Sequence, residues 1–240
     1  MSVNSSTKTT QVSNTNFSAE NLWEKYSKQI IFIGGAIILL VAGWFAYSEM
    51  IKKPKELEAN DAIFHAESLF DKMANDHFNK DSSTLVLNGG NLNGVKITGV
   101  LKVINNYGGT MSGNRAQYIA GATYLHLNEY EKAIKFLKNF DGNGANQVQA
   151  KAFLMIGHAY AEQNKNDDAL DYYKKAASVN KEDDAISSDA LMTAASFADF
   201  IGKKDDAKKL YTELKDNYPA HTSVRSGDVD KYLARLGVFK

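Results

Sequence analysis

Five histidines are the first residues to weigh for chemistry: His65, His77, His126, His158 and His221. A zinc hydrolase needs two imidazoles one helical turn apart with a carboxylate between them, and no His-Glu-x-x-His pair occurs. No serine sits in a nucleophile-elbow sequence. The chain has no cysteine, which removes thiol catalysis, zinc–thiolate sites and disulfides. The acidic runs "KNDDALD" and "KEDD" lack the spacing of a calcium loop and read as solvated charges at helix starts. "LNGGNLNGVKITG" is a glycine-rich stretch, but it matches neither phosphate-binding fingerprint and no Gly-Lys-Ser/Thr follows it. It reads as a structural connection. These residues form no catalytic constellation, and the chain is read as a non-enzyme without cofactor or metal.

Charge removes a second class. The 240 residues hold 28 basic and 28 acidic side chains, and beyond residue 48 the balance is 25 to 26. Nucleic acid needs a concentrated basic stripe to neutralise phosphate, so no nucleic-acid partner is expected.

Function must then rest on surfaces and on what holds them in place. Ile30 to Tyr47 is an uncharged run of eighteen residues. A spanning helix takes about 20 apolar residues. Trp44 and Tyr47 stand at one end, and Trp23, Tyr26, Lys25 and Lys28 at the other, as headgroup-facing belts do. A cleaved leader has a shorter apolar region. The run is therefore read as a permanent anchor in a lipid bilayer. Gly35, Ala42 and Ala46 share one face of it, where small residues would let a partner helix approach. Lys52, Lys53 and Lys55 against Lys25 and Lys28 lean towards a cytoplasmic C-terminal domain and leave topology open.

The expected organisation is a disordered tail over 1–28, a transmembrane helix over 29–48, an amphipathic helix with a Gly/Asn-rich connection over 49–99, and helical repeats over 100–240. In the amphipathic helix Leu57, Ile63, Phe64, Phe70 and Met73 give the apolar spacing, and Pro54 is a possible kink. From Val100 onward "AQYIAGATYLHLNEYEKAIKFLKNF", "AFLMIGHAYAEQNKNDDALDYYKKA" and "ALMTAASFADFIGKKDDAKKLYTELKDNYP" align. Gly121, Gly157 and Ala195 correspond, as do Ala133, Ala169 and Ala207, spaced 36 and 38 apart. Leu137, Tyr173 and Tyr211 follow. Each unit reads as a helix pair with Gly or Ala where its helices cross, stacking on its neighbours because no pair buries its face alone. The fold class is all-α: one N-terminal transmembrane helix, then a helical-repeat solenoid.

Gly157, Tyr160, Ala169, Tyr173 and Ala176, with Pro219 closing the third unit, resemble the tetratricopeptide repeat. Gln117, Phe153 and Leu191 stand where that family carries tryptophan, and the period exceeds its 34 residues. By that repeat's geometry the groove-facing residues are Arg115, Tyr118 and Ala122, then Lys151, Leu154 and His158, then Asp189, Met192 and Ser196. Some of these could instead pack against the helix that follows the anchor.

End to end, "NLWEKYSKQIIFIGGAIILLVAGWFAY", the long helix and the degenerate repeats are similar to the YfgM-type ancillary subunits of the bacterial SecYEG translocon. That resemblance implies an inner-membrane protein with a cytoplasmic N-terminus and a periplasmic repeat domain. It also implies association with SecYEG and a PpiD-like membrane-anchored chaperone, and reception of translocating polypeptides. The insertion around Leu85–Gly99 departs from the family. The alternative is a cytoplasm-facing receptor that recruits soluble proteins.

Overall fold

The computed structural model describes residues 19–239. The chain divides into two compact units, the first ending at Lys53 and the second running from Pro54.

The first unit is built on α1, Ala19–Tyr47. Residues 1–18 of the expected tail lie outside the described residues, and helix already begins ten residues before position 29. Within α1 an 18-residue stretch has mean hydropathy 2.3 and none of it is buried. Phe32 is 82% exposed. Among the described residues this is the one helix long and apolar enough to cross a membrane. Gly35, Ala42 and Ala46 are all exposed. Ser48–Lys52 is a π-helical turn, in which the Lys53 N–H reaches back five residues to the Ser48 carbonyl. Pro54 follows with no N–H to donate, so an ordinary α-helical bond to the Met50 carbonyl cannot form there.

Helix α2, Lys53–Asn75, carries the start of the second unit from Pro54 on. Its buried face is Ala59, Ile63, Ala66 and Met73. Leu57 and Phe64 were expected on that face, but they are 68% and 61% exposed. At 100° per residue they point almost opposite to Ala59 and Ala66, which are fully buried. Next comes α3, Lys80–Asn88, capped by Asn79, whose side chain accepts the Ser82 N–H at 2.9 Å.

The Gly/Asn-rich connection is a β-hairpin. Strands β1, Gly89–Leu92, and β2, Val95–Thr98, pair antiparallel with Leu92 opposite Val95. Asn93 at φ 52° and Gly94 at φ 84° form its two-residue turn. The hairpin adds one small sheet to an otherwise helical fold.

The rest is α4, Val100–Tyr107, then three antiparallel pairs and a closing segment. The pairs are α5, Met111–His126, with α6, Tyr130–Asn139; α7, Asn146–Glu162, with α8, Asn166–Ser178; and α9, Asp184–Phe200, with α10, Lys204–Asn217. The closing segment holds α11, Thr222–Arg225, and α12, Asp228–Arg235. Three left-handed residues, Asn128, Asn164 and Gly202, end the first helix of each pair. Behind them the N–H groups of Glu129, Lys165 and Lys203 reach back to the carbonyls of Tyr124, Tyr160 and Ala198 at 2.8–3.0 Å. This Schellman closure recurs at the same 36- and 38-residue spacing as the alanines.

The crossing within each pair is tight. A Cβ on Gly121 would stand 2.5 Å from the Leu137 side chain, and one on Gly157 would stand 2.5 Å from the Tyr173 ring. Tyr173 spans the junction: its hydroxyl shares a hydrogen bond with His158 Nδ1 at 2.9 Å, while its ring meets Phe197 of the next unit edge-on at 5.1 Å. Ser196 and Tyr211 repeat the polar pair at 3.3 Å. Burial pushes the Tyr173 phenol up to about 12, with Glu162 adding to it. Burial also pushes the His158 imidazole down, against a smaller opposing pull from Glu162. His126, stacked on Phe78 with ring centres 3.6 Å apart, is pushed down by burial as well.

Two outcomes follow from this packing. Gly157→Val should destabilise the domain by about 1–3 kcal/mol through overpacking against Tyr173, read as a lower midpoint in a helical circular-dichroism melt. An unchanged midpoint would mean the crossing has slack. The second concerns pH. His158 and His126 bind a proton less readily folded than unfolded, so stability is full above the ordinary imidazole value of about 6.5 and declines as pH falls below it. Melting His158→Gln across that window should give a shallower decline than the parent chain. Parallel curves would show that His158 carries none of the slope.

Candidate protein-binding surface

The groove-facing residues of the three units meet different surroundings. In the first helix pair, side chains of α2 reach across to α5. Arg115 gives Nε to Glu67 Oε1 at 3.0 Å and Nη2 to Glu67 Oε2 at 3.2 Å and Asn60 Oδ1 at 3.0 Å. Such two-point contact fixes the guanidinium plane. Glu56, one helical turn before Asn60, caps α5. Its carboxylate accepts the backbone N–H groups of Met111 and Ser112 at 2.8 and 3.0 Å, and the Ser112 hydroxyl at 3.1 Å. Partial burial pushes the Glu56 carboxyl up, but these bonds and the nearby Arg115 charge outweigh it and hold it below the usual range. Arg115 is thus spent on α2, the packing alternative raised from the sequence.

Tyr118 is half-buried beside Phe140, with ring centres 5.3 Å apart, and burial raises its phenol above the ordinary value. Together with Glu67 and Arg115 it lines a pocket of about 320 Å³ between α2, α5 and the loop joining α6 to α7. Sequence reasoning missed Glu67, Phe140 and Val148 as lining residues, since they approach only in the fold.

In the second unit Lys151 is exposed, Leu154 packs partly against the core of the C-terminal pairs, and His158 is held by Tyr173. In the third, Met192 packs against that same core, while Asp189 pairs with His221 Nε2 at 3.1 Å. Arg115 and Tyr118 therefore share one pocket. Leu154 and Met192 share a core, and Lys151 belongs to neither group.

Aromatic residues also pair between the first and second helix of a unit. Tyr124 stacks on Phe136 at 5.5 Å, and Tyr160 leans on Tyr172 at 5.6 Å one repeat later. Lysines sit over these rings: Lys132 over Tyr124 at 5.1 Å, Lys138 over Tyr160 at 5.1 Å and Lys175 over Tyr172 at 4.2 Å. Each contact is a cation–π attraction that orders a solvent-facing lysine.

With the geometry in place, comparison with known proteins finds the tetratricopeptide repeat over residues 150–183 and again over 189–221. These segments correspond to α7 with α8 and to α9 with α10. No curated protein matches the chain. Repeats of this kind are typically non-enzymatic scaffolds that bind protein partners. The chain carries two tetratricopeptide repeats inside an all-α domain, together with one helix fit to span a membrane.

Proposed function

We propose that this chain is a membrane-anchored, non-enzymatic scaffold of the bacterial inner membrane with the character of a holding chaperone. Its N-terminus is cytoplasmic and its repeat domain periplasmic. It sits beside the SecYEG translocon and a PpiD-like chaperone, where the repeat groove meets polypeptides as they emerge. The observation that carries this reading is the pairing of a helix with an uncovered 18-residue apolar stretch and two tetratricopeptide repeats in one short chain. Neither feature does chemistry; together they localise a binding surface. Gly35, Ala42 and Ala46 are the face that would contact a partner helix, and Lys151, Leu154, His158 and Met192 the surface offered to chains.

A second reading, a cytoplasm-facing receptor for soluble proteins, draws on Lys52, Lys53 and Lys55 against Lys25 and Lys28. Long domains cross largely regardless of nearby charge, so this asymmetry yields to the resemblance.

The missing cysteine makes topology directly readable. Ser5→Cys and Thr222→Cys variants are labelled in cells with a permeabilised outer membrane, using a maleimide that cannot pass the inner one. Labelling of Thr222→Cys alone is expected. Labelling of Ser5→Cys alone would transfer the function to the cytoplasmic receptor. In the same cells Ala42→Leu should reduce co-purification with SecYEG by about tenfold if the small face docks there, since one lost close approach costs about 1.4 kcal/mol at that ratio. Undiminished recovery would remove Ala42 from the contact.

A further inference from the structure

The pocket beside Arg115 is preformed and its walls have a chemistry of their own. Phe70, Met111, Tyr118, Ile119, Phe140 and Val148 make it mainly apolar. Its volume of about 320 Å³ is at the small end for a ligand site, room for one bulky side chain rather than a cofactor. The loop that closes it is tied down on both sides. Asn114 Nδ2 donates to the Asp141 carbonyl at 2.6 Å, and the Asp141 N–H returns to Asn114 Oδ1 at 2.9 Å. Next to it the Gly142 N–H donates to Gln149 Oε1 at 2.7 Å. The opposite wall is fixed by the Glu67–Arg115–Asn60 clamp.

The rim is acidic. Glu67, Asp71 and Asp141 are among the lining residues, the two aspartates exposed to solvent, and Arg115 is the one cation with them. Its guanidinium is already committed to Glu67, which leaves the mouth with a surplus of two negative charges. Exposed apolar surface continues outside: Met111 is 53% exposed, and Leu57 and Phe64 lie seven residues apart on the open side of α2. An apolar floor with a negative rim selects a partner with the opposite pattern.

We propose that this pocket seats one aromatic or large aliphatic side chain of a protein segment that carries Lys or Arg beside that anchor. The inference rests on the reading of this domain as a protein-binding scaffold and narrows what it binds. The anchor fills the space over Tyr118 and Val148, and the flanking cation pairs with Asp71 and Asp141. Segments bearing acidic residues next to an apolar anchor are rejected at the rim.

The test uses the full chain in detergent and three fluorescent twelve-residue peptides. One has a central tryptophan flanked by lysines, one the same tryptophan flanked by glutamates, and one the lysines with alanine at the centre. Fluorescence polarisation should rank the lysine–tryptophan peptide about tenfold tighter than either control, with affinity falling as salt rises. Asp71→Lys, a change at an exposed position, should weaken it by about tenfold. Val148→Trp should abolish binding by filling the pocket. Should Val148→Trp fail to fold, Asp71→Lys still decides. Equal binding of the glutamate peptide, or full affinity after Asp71→Lys, would overturn the proposal. So would self-association of the chain that competes with the peptide, because a second copy would then be the occupant. Failure here with the Thr222→Cys pattern and SecYEG recovery intact would remove only the pocket's specificity. Loss of SecYEG recovery would count against the scaffold reading itself.

Discussion

The absence of a side chain where two helices cross governs the geometry of this domain. At Gly157 the missing Cβ lets the Tyr173 ring lie against the backbone of α7, and that depth fixes everything the ring can reach. Its hydroxyl meets His158 and its far edge meets Phe197 of the following pair. One unit later Ala195 stands at the crossing, Tyr211 reaches Ser196, and its ring stacks on Tyr232 of α12 at 5.1 Å. The crossings at Gly157 and Ala195 thus each set the position of an aromatic residue that also packs on the following element. Two close approaches, repeated, are enough to align a row of pairs, since a stack of this kind is stabilised mainly by its nearest-neighbour interfaces.

A stack must also end, and its two ends are solved differently. At the C-terminal side α12 supplies Val229 and Leu233 to the same core as Tyr211 and Leu214. At the N-terminal side no preceding pair exists, so α2, α3, the hairpin and α4 bury Ile63, Met73, Val86, Ile97 and Val103 against Ala116, Ile119 and Tyr124. Polar contacts add register to this apolar seal. Glu56 satisfies two N–H groups at the start of α5, groups that a helix end otherwise leaves to water. A carboxylate also suits the positive end of the helix dipole. The Arg115–Glu67 pair adds a second, two-point contact between α2 and α5.

The repeat was legible in the sequence because its constraints are local and periodic. Gly121, Gly157 and Ala195 can be aligned by eye, and so could Asn128, Asn164 and Gly202, whose left-handed backbone marks each turn. The hairpin was harder. Its strands are four residues long and mostly exposed, so no alternation of apolar residues announces them, and only Asn93-Gly94 carried the signal. Misreading Leu57 and Phe64 had another cause. Large apolar residues draw the eye to one side of α2, while the buried side is made by Ala59 and Ala66, which count for little in a hydrophobic pattern. The pocket was illegible for a topological reason, since Glu67 and Arg115 meet across 48 residues that no periodicity links.

A formal charge of zero suggests a surface without electrostatic preference, and the arrangement of side chains shows otherwise. Lys132, Lys138 and Lys175 are drawn over the rings of α5, α7 and α8, where cation–π attraction holds them on the aromatic face. Glu67, Asp71 and Asp141 gather at the mouth of the pocket, with one guanidinium among them. Sorting the signs creates local potential without altering the sum, and local potential within a Debye length of about 8 Å is what a docking segment meets at physiological salt. The same repeat that positions aromatic residues therefore also sorts charge. Lys132 and Lys138 lie over rings of the first helices α5 and α7 and Lys175 over a ring of α8, while three carboxylates gather in the pocket that α2 helps to line. A neutral chain can in this way discriminate between partners of opposite charge pattern, with the sign of the choice set by which face the partner approaches.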